Sequence, residues 1–175
     1  MQVYILKESN SDSRVAASPD TVKKMKDWGL NVVIQDNAGL NSNFSNEEYI
    51  KSGATISNEI TDISKSDLIL KINKPNDDEI ALMNEGSVLI ASLDPYNNSE
   101  TLNKLKDKGI TSFAMELMPR ITRAQSMDIL SSQSNLAGYK AVIDASFLFY
   151  KAMPMMMTAA GTIAPAKVMV FGAGV

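Results

Sequence analysis

Residues 166–175 read Ala-Lys-Val-Met-Val-Phe-Gly-Ala-Gly-Val, which predicts a buried strand that runs into a G-x-G turn. Such a segment is typical of the dinucleotide-binding fold, in which the glycines let backbone N–H groups approach a pyrophosphate at the N-terminus of the next helix. The third glycine, that helix and the acidic ribose contact of the full motif are absent, so an ordinary tight turn explains Gly172 and Gly174 equally well. We expect the first lobe of a two-lobed nucleotide enzyme, in which this segment begins a truncated Rossmann lobe.

The composition excludes several kinds of chemistry. Of the 175 residues, 45% are hydrophobic and 21% are charged, as in ordinary globular proteins. The chain has no cysteine and no histidine, so it supplies no disulfide, no cysteine nucleophile, no Ser-His-Asp triad and no histidine-ligated zinc, and we predict no metal site. A net charge of -3 offers no basic face for nucleic acid. Its apolar stretches are too short for a secretory signal or a membrane span, so we expect a cytoplasmic protein.

Up to residue 115 the chain repeats one pattern, a short apolar segment followed by an amphipathic helix and a glycine. Apolar strands that alternate with helices predict a parallel sheet covered by helices on both faces. We therefore predict an α/β fold with a five-stranded, flavodoxin-like open parallel sheet. The predicted strands are Val3–Leu6, Asn31–Gln35, Leu68–Ile72, Val88–Ser92 and Thr111–Ala114.

Capping residues mark where these helices begin. Residues 18–20, Ser-Pro-Asp, have the composition of an N-cap and a first helical turn. Ser45 with Glu48, and Asn76 with Glu79, have the spacing of capping boxes. The sequence therefore predicts a helix after each of the first three strands.

The alternating pattern ends with the last predicted strand. After a polar connection, one helical pattern extends from about Ser126 to Lys151. At the standard rise such a helix spans roughly 35–40 Å, which is long enough to bridge two lobes. Pro154 and residues 161–165, rich in glycine and proline, predict a linker. We expect an N-terminal α/β lobe at residues 1–125, a bridging helix and linker at residues 126–164, and the start of the Rossmann lobe at residues 165–175.

The densest polar cluster follows the last predicted strand. It consists of Arg120, Arg123, Gln125, Ser126, Asp128, Ser131, Ser132, Gln133 and Asn135. Ligands of open α/β sheets bind beyond the carboxyl ends of the strands, which is where this segment is expected. An arginine fork beside amide and carboxylate groups is suited to a carboxamide-bearing ring. The alternative is that Ser126 or Asp128 only caps the helix and that the other side chains form a solvated face.

Two further polar residues follow predicted strands. Arg14 lies in the loop after the first strand, where its guanidinium is able to bind an anion, and a plain surface position is the alternative. Asp36 follows the second strand, as a ribose-binding acid would. No glycine-rich turn separates the first strand from the first helix, so a loop or capping role explains Asp36 better.

Several segments carry a more specific signal. Residues 120–140 read Arg-Ile-Thr-Arg-Ala-Gln-Ser-Met-Asp-Ile-Leu-Ser-Ser-Gln-Ser-Asn-Leu-Ala-Gly-Tyr-Lys. Shorter informative segments are residues 13–19, 38–40, 44–49, 70–75, 155–161 and 165–175. Together they resemble the N-terminal region of the alpha subunits of proton-translocating NAD(P) transhydrogenases, which are relatives of the alanine dehydrogenases. The resemblance covers essentially the whole chain.

In that family the alpha subunit binds NADH between two lobes and passes hydride to NADP⁺ on the beta subunit, coupled to proton translocation across the membrane. The resemblance implies an oxidoreductase component with beta-subunit and membrane-domain partners, a homodimer, and a cytoplasmic position peripheral to the inner membrane. The cofactor-binding positions that it implies are Arg120, Gln125, Asp128, Ser131, Gly172 and Gly174. These groups would position the rings without acting as acid or base, so we predict no catalytic residue. The 175-residue chain alone is expected to lack turnover.

Two alternatives remain. Alanine dehydrogenases carry a lysine and a histidine for substrate binding and acid–base work, and we assign the corresponding positions here to Asn73 and Asp94, which disfavours amino-acid oxidation. The other alternative is a free-standing flavodoxin-like binding module. A phospho-receiver of that kind needs an acidic cluster after the first strand, where this chain has only Lys7 and Glu8.

Overall fold

The computed structural model describes residues 1–9 and 11–172. The chain divides into two compact units, Met1–Met118 and Pro119–Val175. The first unit contains a sheet with helices on both faces. The second unit contains a long helix and a small hairpin.

The first unit is built on an open parallel sheet. Its strands are β1 (Gln2–Ile5), β2 (Asn31–Gln35), β3 (Thr55–Ser57), β4 (Leu68–Leu70), β5 (Val88–Ala91) and β6 (Thr111–Ala114). They lie in the order β3-β2-β1-β4-β5-β6, and every neighbouring pair is parallel. The chain thus begins in the middle of the sheet, builds one half outward, and returns to build the other half. The predicted α/β open parallel sheet is confirmed.

The predicted count of five strands is wrong, because the sheet has six. The missed strand, β3, pairs with β2 at the edge of the sheet, where Ile56 lies opposite Ile34. It has only three residues, and two of them, Thr55 and Ser57, are polar, so it gives no apolar run to recognise. The other five strands have the flavodoxin order, and β3 extends this to the doubly wound order 3-2-1-4-5-6.

Helices cover both faces of the sheet. They are α1 (Pro19–Asp27), α2 (Asn46–Lys51), α3 (Asp77–Leu82) and α4 (Ser99–Asp107). Side chains of a strand alternate between the two faces. In β1, Val3 and Ile5 therefore pack with α1 and α2, whereas Tyr4 packs with α3 and α4. Burial of each such side chain contributes on the order of 1.5–3 kcal/mol, so β1 anchors both halves of the core.

The predicted caps are confirmed. The hydroxyl of Ser18 accepts a hydrogen bond of 3.3 Å from a backbone N–H in the first turn of α1. Ser45 and Glu48 form a reciprocal capping box at α2, and Asn76 and Glu79 form another at α3. Each N-cap contributes about 1 kcal/mol and fixes where the preceding loop ends. These loops form the carboxyl edge of the sheet.

The second unit contains one long helix, α5 (Ile129–Leu148), which follows a 3-10 helix at Thr122–Met127. The predicted start near Ser126 is too early, because the N-cap is Asp128, whose side chain accepts a hydrogen bond from the Ser131 N–H. The predicted end at Lys151 is too late. Residues 132–148 of the helix are all exposed. In the part of the chain that the structure describes, no helix has both the length and the apolar character needed to cross a membrane.

The segment after α5 differs from the prediction. Instead of a plain linker, it contains an antiparallel hairpin of β7 (Met156–Thr158) and β8 (Gly161–Ile163). Gly161 has a φ of +133°, a conformation that favours glycine. The strand predicted before Gly172 is not formed, since residues 164–172 have no helix or strand assigned. A strand requires a partner ladder, and no described strand pairs with this segment.

Candidate functional site

Polar side chains at the start of the second unit surround one small pocket. The pocket has a volume of about 160 Å³. Its lining residues are Pro119, Arg120, Ala124, Gln125, Asp128 and Ser131. The structure therefore brings together the four cofactor-binding residues that the sequence predicts in this segment. Pockets for drug-sized ligands measure roughly 300–1,000 Å³, so this pocket has room for one ring or one polar group of a larger ligand.

A 3-10 helix shapes this pocket. Ala124 is its buried residue, 4% exposed, and anchors the turn. Gln125 lies in the 3-10 helix, Asp128 is the residue that follows its end, and both side chains line the pocket. The backbone N–H of Asp128 donates to the Gln125 carbonyl at 3.3 Å, which ends the turn just before α5 begins. Local geometry thus holds the two polar side chains next to each other.

Asp128 is the anionic group of the pocket. Its carboxylate accepts hydrogen bonds from the hydroxyl of Ser131 at 2.6 Å and from the Ser131 backbone N–H at 3.0 Å. The Ser131 hydroxyl is the main reason why the pKa of Asp128 lies below its ordinary value, and the charge of Arg120 adds to the effect. The alternative that Asp128 caps the helix is confirmed. The same carboxylate also lines the pocket, so capping and ligand binding do not exclude each other.

Arg120 and Gln125 supply the donors. Both residues are exposed, and both line the pocket. A guanidinium offers a planar fork for a carbonyl or phosphate oxygen, and a side-chain amide both donates and accepts. The pocket therefore combines a cation, an amide and a fixed carboxylate within one turn of chain.

Of the two predicted glycines, the structure describes Gly172, which is not among the residues that line this pocket. Gly172 has a φ of +91°, and a Cβ added there would meet nothing within 4 Å, so the backbone conformation alone favours glycine. Gly174 lies outside the described residues.

A larger pocket lies at the carboxyl edge of the first unit. The sequence analysis did not predict this cavity. It has a volume of about 600 Å³ and is lined by Asn73, Lys74, Ser92, Leu93, Asp94, Asn98 and Glu116. Glu116 accepts a hydrogen bond from the Leu93 N–H at 2.9 Å and also binds the Asp94 N–H, so it holds the loop after β5. The signal in the sequence was the position of Asp94 and Glu116 directly after two neighbouring strands.

The other polar residues singled out in the sequence have internal partners. Arg14 forms a salt bridge of 2.6 Å with Asp12. Asp36 accepts hydrogen bonds of 2.7 Å from the side-chain amides of Asn37 and Asn46, so it has the predicted loop role, while the N-cap of α2 is Ser45.

The fold is of the doubly wound α/β class. The chain belongs to the alanine dehydrogenase/PNT family: the family model "Alanine dehydrogenase/PNT, N-terminal domain" matches residues 4–137, and the C-terminal domain model matches residues 141–175. Over its whole length the chain is 47% identical to an NAD(P) transhydrogenase alpha subunit polypeptide of Rhodospirillum rubrum, of which it covers 47%. The chain thus spans about half the length of this curated relative.

A solved structure and a more distant relative complete the comparison. The transhydrogenase structure from Sinorhizobium meliloti superposes with a TM-score of 0.90 at 50% identity, over 95% of this chain and 50% of that chain. Alanine dehydrogenase 1 of Staphylococcus aureus is 28% identical over 84% of this chain and 39% of its own length. The similarity to the transhydrogenases is therefore both closer and more extensive than the similarity to this alanine dehydrogenase.

Proposed function

We propose that this chain is the N-terminal portion of an NAD(P) transhydrogenase alpha subunit, a component that orients NADH for hydride transfer to NADP⁺ bound by a partner subunit. The observation that carries the proposal is the convergence of Arg120, Gln125, Asp128 and Ser131 on one small pocket. The 47% identity to a transhydrogenase alpha subunit supports it.

The donor set suits a nicotinamide ring and an adjoining phosphate. Gln125 matches a carboxamide, because each amide offers both a donor and an acceptor to the other. Arg120 provides the fork for a phosphate or carbonyl oxygen, and Asp128 accepts from an amide N–H. A pocket of about 160 Å³ takes the ring and leaves the rest of a dinucleotide to other contacts.

The residues of this chain act by positioning. When bound, the reduced nicotinamide supplies the hydride, so no protein group has to donate or accept a proton in that step. Ser131 fixes the direction of the Asp128 carboxylate, and Asp128 in turn fixes the amide that it binds. The absence of histidine and cysteine from the 175 residues is compatible with such a role.

Partner subunits follow from the same proposal. NADP⁺ would be held by the beta subunit, and coupling to proton translocation would place the assembly at the inner face of a membrane through its other subunits. The exposed apolar side chains of the second unit support contacts with other chains, a homodimer among them: Phe147 is 86% exposed and Met157 is 76% exposed.

The experiment compares Arg120→Ala with Arg123→Ala in a chain extended through the second lobe of the Rhodospirillum rubrum relative. Arg123 is an exposed arginine three residues further on, in the 3-10 helix, and it does not line the pocket, so it is the matched control. We expect NADH, followed by fluorescence titration, to bind at least tenfold more weakly to the Arg120 variant and within twofold of wild type to the Arg123 variant.

Two results would overturn the proposal. One is equal NADH affinity in both arginine variants. The other is robust formation of pyruvate from alanine and NAD⁺ by the extended chain, which would move it to the alanine dehydrogenases. Equal NADH affinity of the 175-residue chain and the extended chain would contradict the division of the binding site between two lobes.

A further inference from the structure

The loop after β1 contains a carboxylate-binding arrangement that the chain itself fills. The guanidinium of Arg14 donates to both oxygens of Asp12, from Nε at 2.9 Å and from Nη2 at 2.6 Å. The backbone N–H of Arg14 donates to the same carboxylate at 3.0 Å. The side-chain amide of Asn73 adds a fourth hydrogen bond at 2.8 Å. An arginine fork, a backbone N–H and an amide form a complete receptor for one carboxylate.

This receptor lies where open sheets bind ligands. Arg14 follows β1 and Asn73 follows β4, and these neighbouring strands lead to opposite halves of the sheet. The carboxyl edge at such a reversal of strand order is the usual ligand crevice of the fold. Asn73 also lines the pocket of about 600 Å³ at this edge of the sheet.

The charges around Arg14 already favour the internal partner. Glu8, 6% exposed, accepts hydrogen bonds from the backbone N–H of Ile72 at 2.7 Å and from the Asn73 amide at 3.0 Å. Asn73 thus bridges two carboxylates, and one guanidinium against the carboxylates of Glu8 and Asp12 leaves this cluster with a net charge of −1. An anion from solution meets a cluster that is already negative.

We propose that Asp12 is an internal carboxylate ligand which occupies the anion-binding groups of Arg14 and Asn73 and thereby excludes small carboxylates, such as 2-oxo acids and amino acids, from this edge of the sheet. Asp12 is then a specificity-determining residue. Asp12, Arg14 and Asn73 all lie in the first unit, so this role of Asp12 does not depend on how NADH binds to the second.

The electrostatics keep this internal ligand charged. The Arg14 guanidinium holds the pKa of Asp12 well below its usual range, so the carboxylate is ionised wherever the protein is folded near neutral pH. Because Asp12 lies two residues from Arg14 in the chain, an external acid competes with a tethered group of high effective concentration. Millimolar metabolites would not displace it.

The test measures oxalate and pyruvate binding by calorimetry to the 175-residue chain carrying Asp12→Ala. This substitution removes the Asp12 carboxylate from the receptor and brings the cluster of Glu8 and Arg14 to neutrality. We expect both acids to bind at least tenfold more tightly to the variant than to wild type. Asp144→Ala is the control, because it also removes one carboxylate and one ion pair, that with Lys140 at 2.6 Å, in the second unit.

The double variant Asp12→Ala/Arg14→Gln tests whether Arg14 binds the added acid. It should lose the affinity for oxalate and pyruvate that Asp12→Ala gains. Circular dichroism checks folding, and Asp12→Ser replaces Asp12→Ala if the latter unfolds. The proposal is overturned if the Asp12 variants bind oxalate no better than wild type, if Asp144→Ala gains as much, or if the gain survives removal of Arg14. A negative result for Asp12 would not affect the NADH proposal, because the NADH titration of the Arg120 variant measures binding to the second unit.

Discussion

Asp128 accepts two hydrogen bonds from Ser131, one from its backbone N–H at 3.0 Å and one from its hydroxyl at 2.6 Å. The first bond caps α5, and the second fixes the orientation of the carboxylate that lines the small pocket. One side chain therefore couples the start of the long helix to the candidate site. A ligand that binds Asp128 finds its acceptor already oriented, which lowers the entropic cost of binding.

Removal of the Ser131 hydroxyl should raise the pKa of Asp128 towards its ordinary value, because that hydroxyl is the main cause of the lowered pKa. We expect Ser131→Ala to show this shift when the Asp128 carboxyl is titrated by NMR. Ser132→Ala is the matched control, since the Ser132 hydroxyl donates to the backbone carbonyl of Asp128 at 2.9 Å and not to its carboxylate. An unchanged Asp128 pKa in Ser131→Ala would contradict this assignment.

The hydroxyl of Tyr49 stabilises the junction of α1 and α2. It is fully buried and donates to the backbone carbonyl of Ala17 at 2.7 Å. Tyr49→Phe leaves that carbonyl without its donor, which should lower the free energy of unfolding by about 1–2 kcal/mol. Urea denaturation measures the change. Tyr96→Phe, at a residue that is 85% exposed, should leave the midpoint unchanged, and equal midpoints for both variants would refute the prediction.

Tyr49 also predicts an alkaline loss of stability. Burial raises the pKa of Tyr49 to about 12, whereas an unfolded tyrosine ionises near 10. A group whose pKa is raised by folding stabilises the protein below its unfolded pKa, and this contribution disappears as the pH rises from about 10 to about 12. The stability difference between wild type and Tyr49→Phe should therefore shrink over that interval in urea titrations at successive pH values. A constant difference would show that Tyr49 does not titrate on unfolding.

A buried ion pair connects the end of β4 to α3. The ammonium of Lys71 lies 2.5 Å from one carboxylate oxygen of Glu79, and both side chains are 7% exposed. Glu79→Gln leaves a buried charge without its partner, which should cost about 3–5 kcal/mol in urea unfolding. Glu100→Gln, in the exposed pair with Lys104, should cost less than about 1 kcal/mol. The double variant Lys71→Met/Glu79→Gln, which keeps a side-chain acceptor for the capping box of α3, should recover most of the loss, and a double variant as unstable as the single one would contradict the argument.

Two glycines should respond in opposite directions to alanine. A Cβ on Gly39 would lie 2.6 Å from the ring of Tyr49, so Gly39→Ala should destabilise the chain by about 1–3 kcal/mol. A Cβ on Gly138 would meet nothing within 4 Å, and Gly138 lies inside α5. Gly138→Ala should therefore stabilise the helix by roughly 0.5–1 kcal/mol. Helical circular dichroism and thermal unfolding measure both, and a shift of the same sign in the two variants would refute the assignment.

Local signals predicted the parts of the fold that depend on local physics. The box of Ser45 and Glu48 was legible because both hydrogen bonds join residues three apart. Strand β3 could not be recognised in the sequence. It forms only through its pairing with β2, and it buries little apolar surface of its own. The hairpin at residues 156–163 was not predicted for a similar reason. Its pairing depends on a glycine at positive φ inside a segment whose composition resembles a linker.

The candidate site was predicted only incompletely. The cluster around Gln125 and Asp128 is contiguous in sequence, so its convergence on one pocket follows from a single turn and the helix after it. The hydrogen bond from the Asn73 amide to Asp12 joins residues sixty-one positions apart and depends on the register of two parallel strands. Sequence spacing carries no information of that kind, because the contact exists only once the sheet has formed.

The strand order has a consequence for biosynthesis. Val3 pairs with Val32 on one side and with Leu68 on the other, so β1 gains its second neighbour only after sixty-five more residues have been made. At 5–20 residues per second that delay amounts to roughly 3–13 s. During this interval the nascent polypeptide presents an apolar strand with at least one open edge, and chaperones have several seconds in which to bind it.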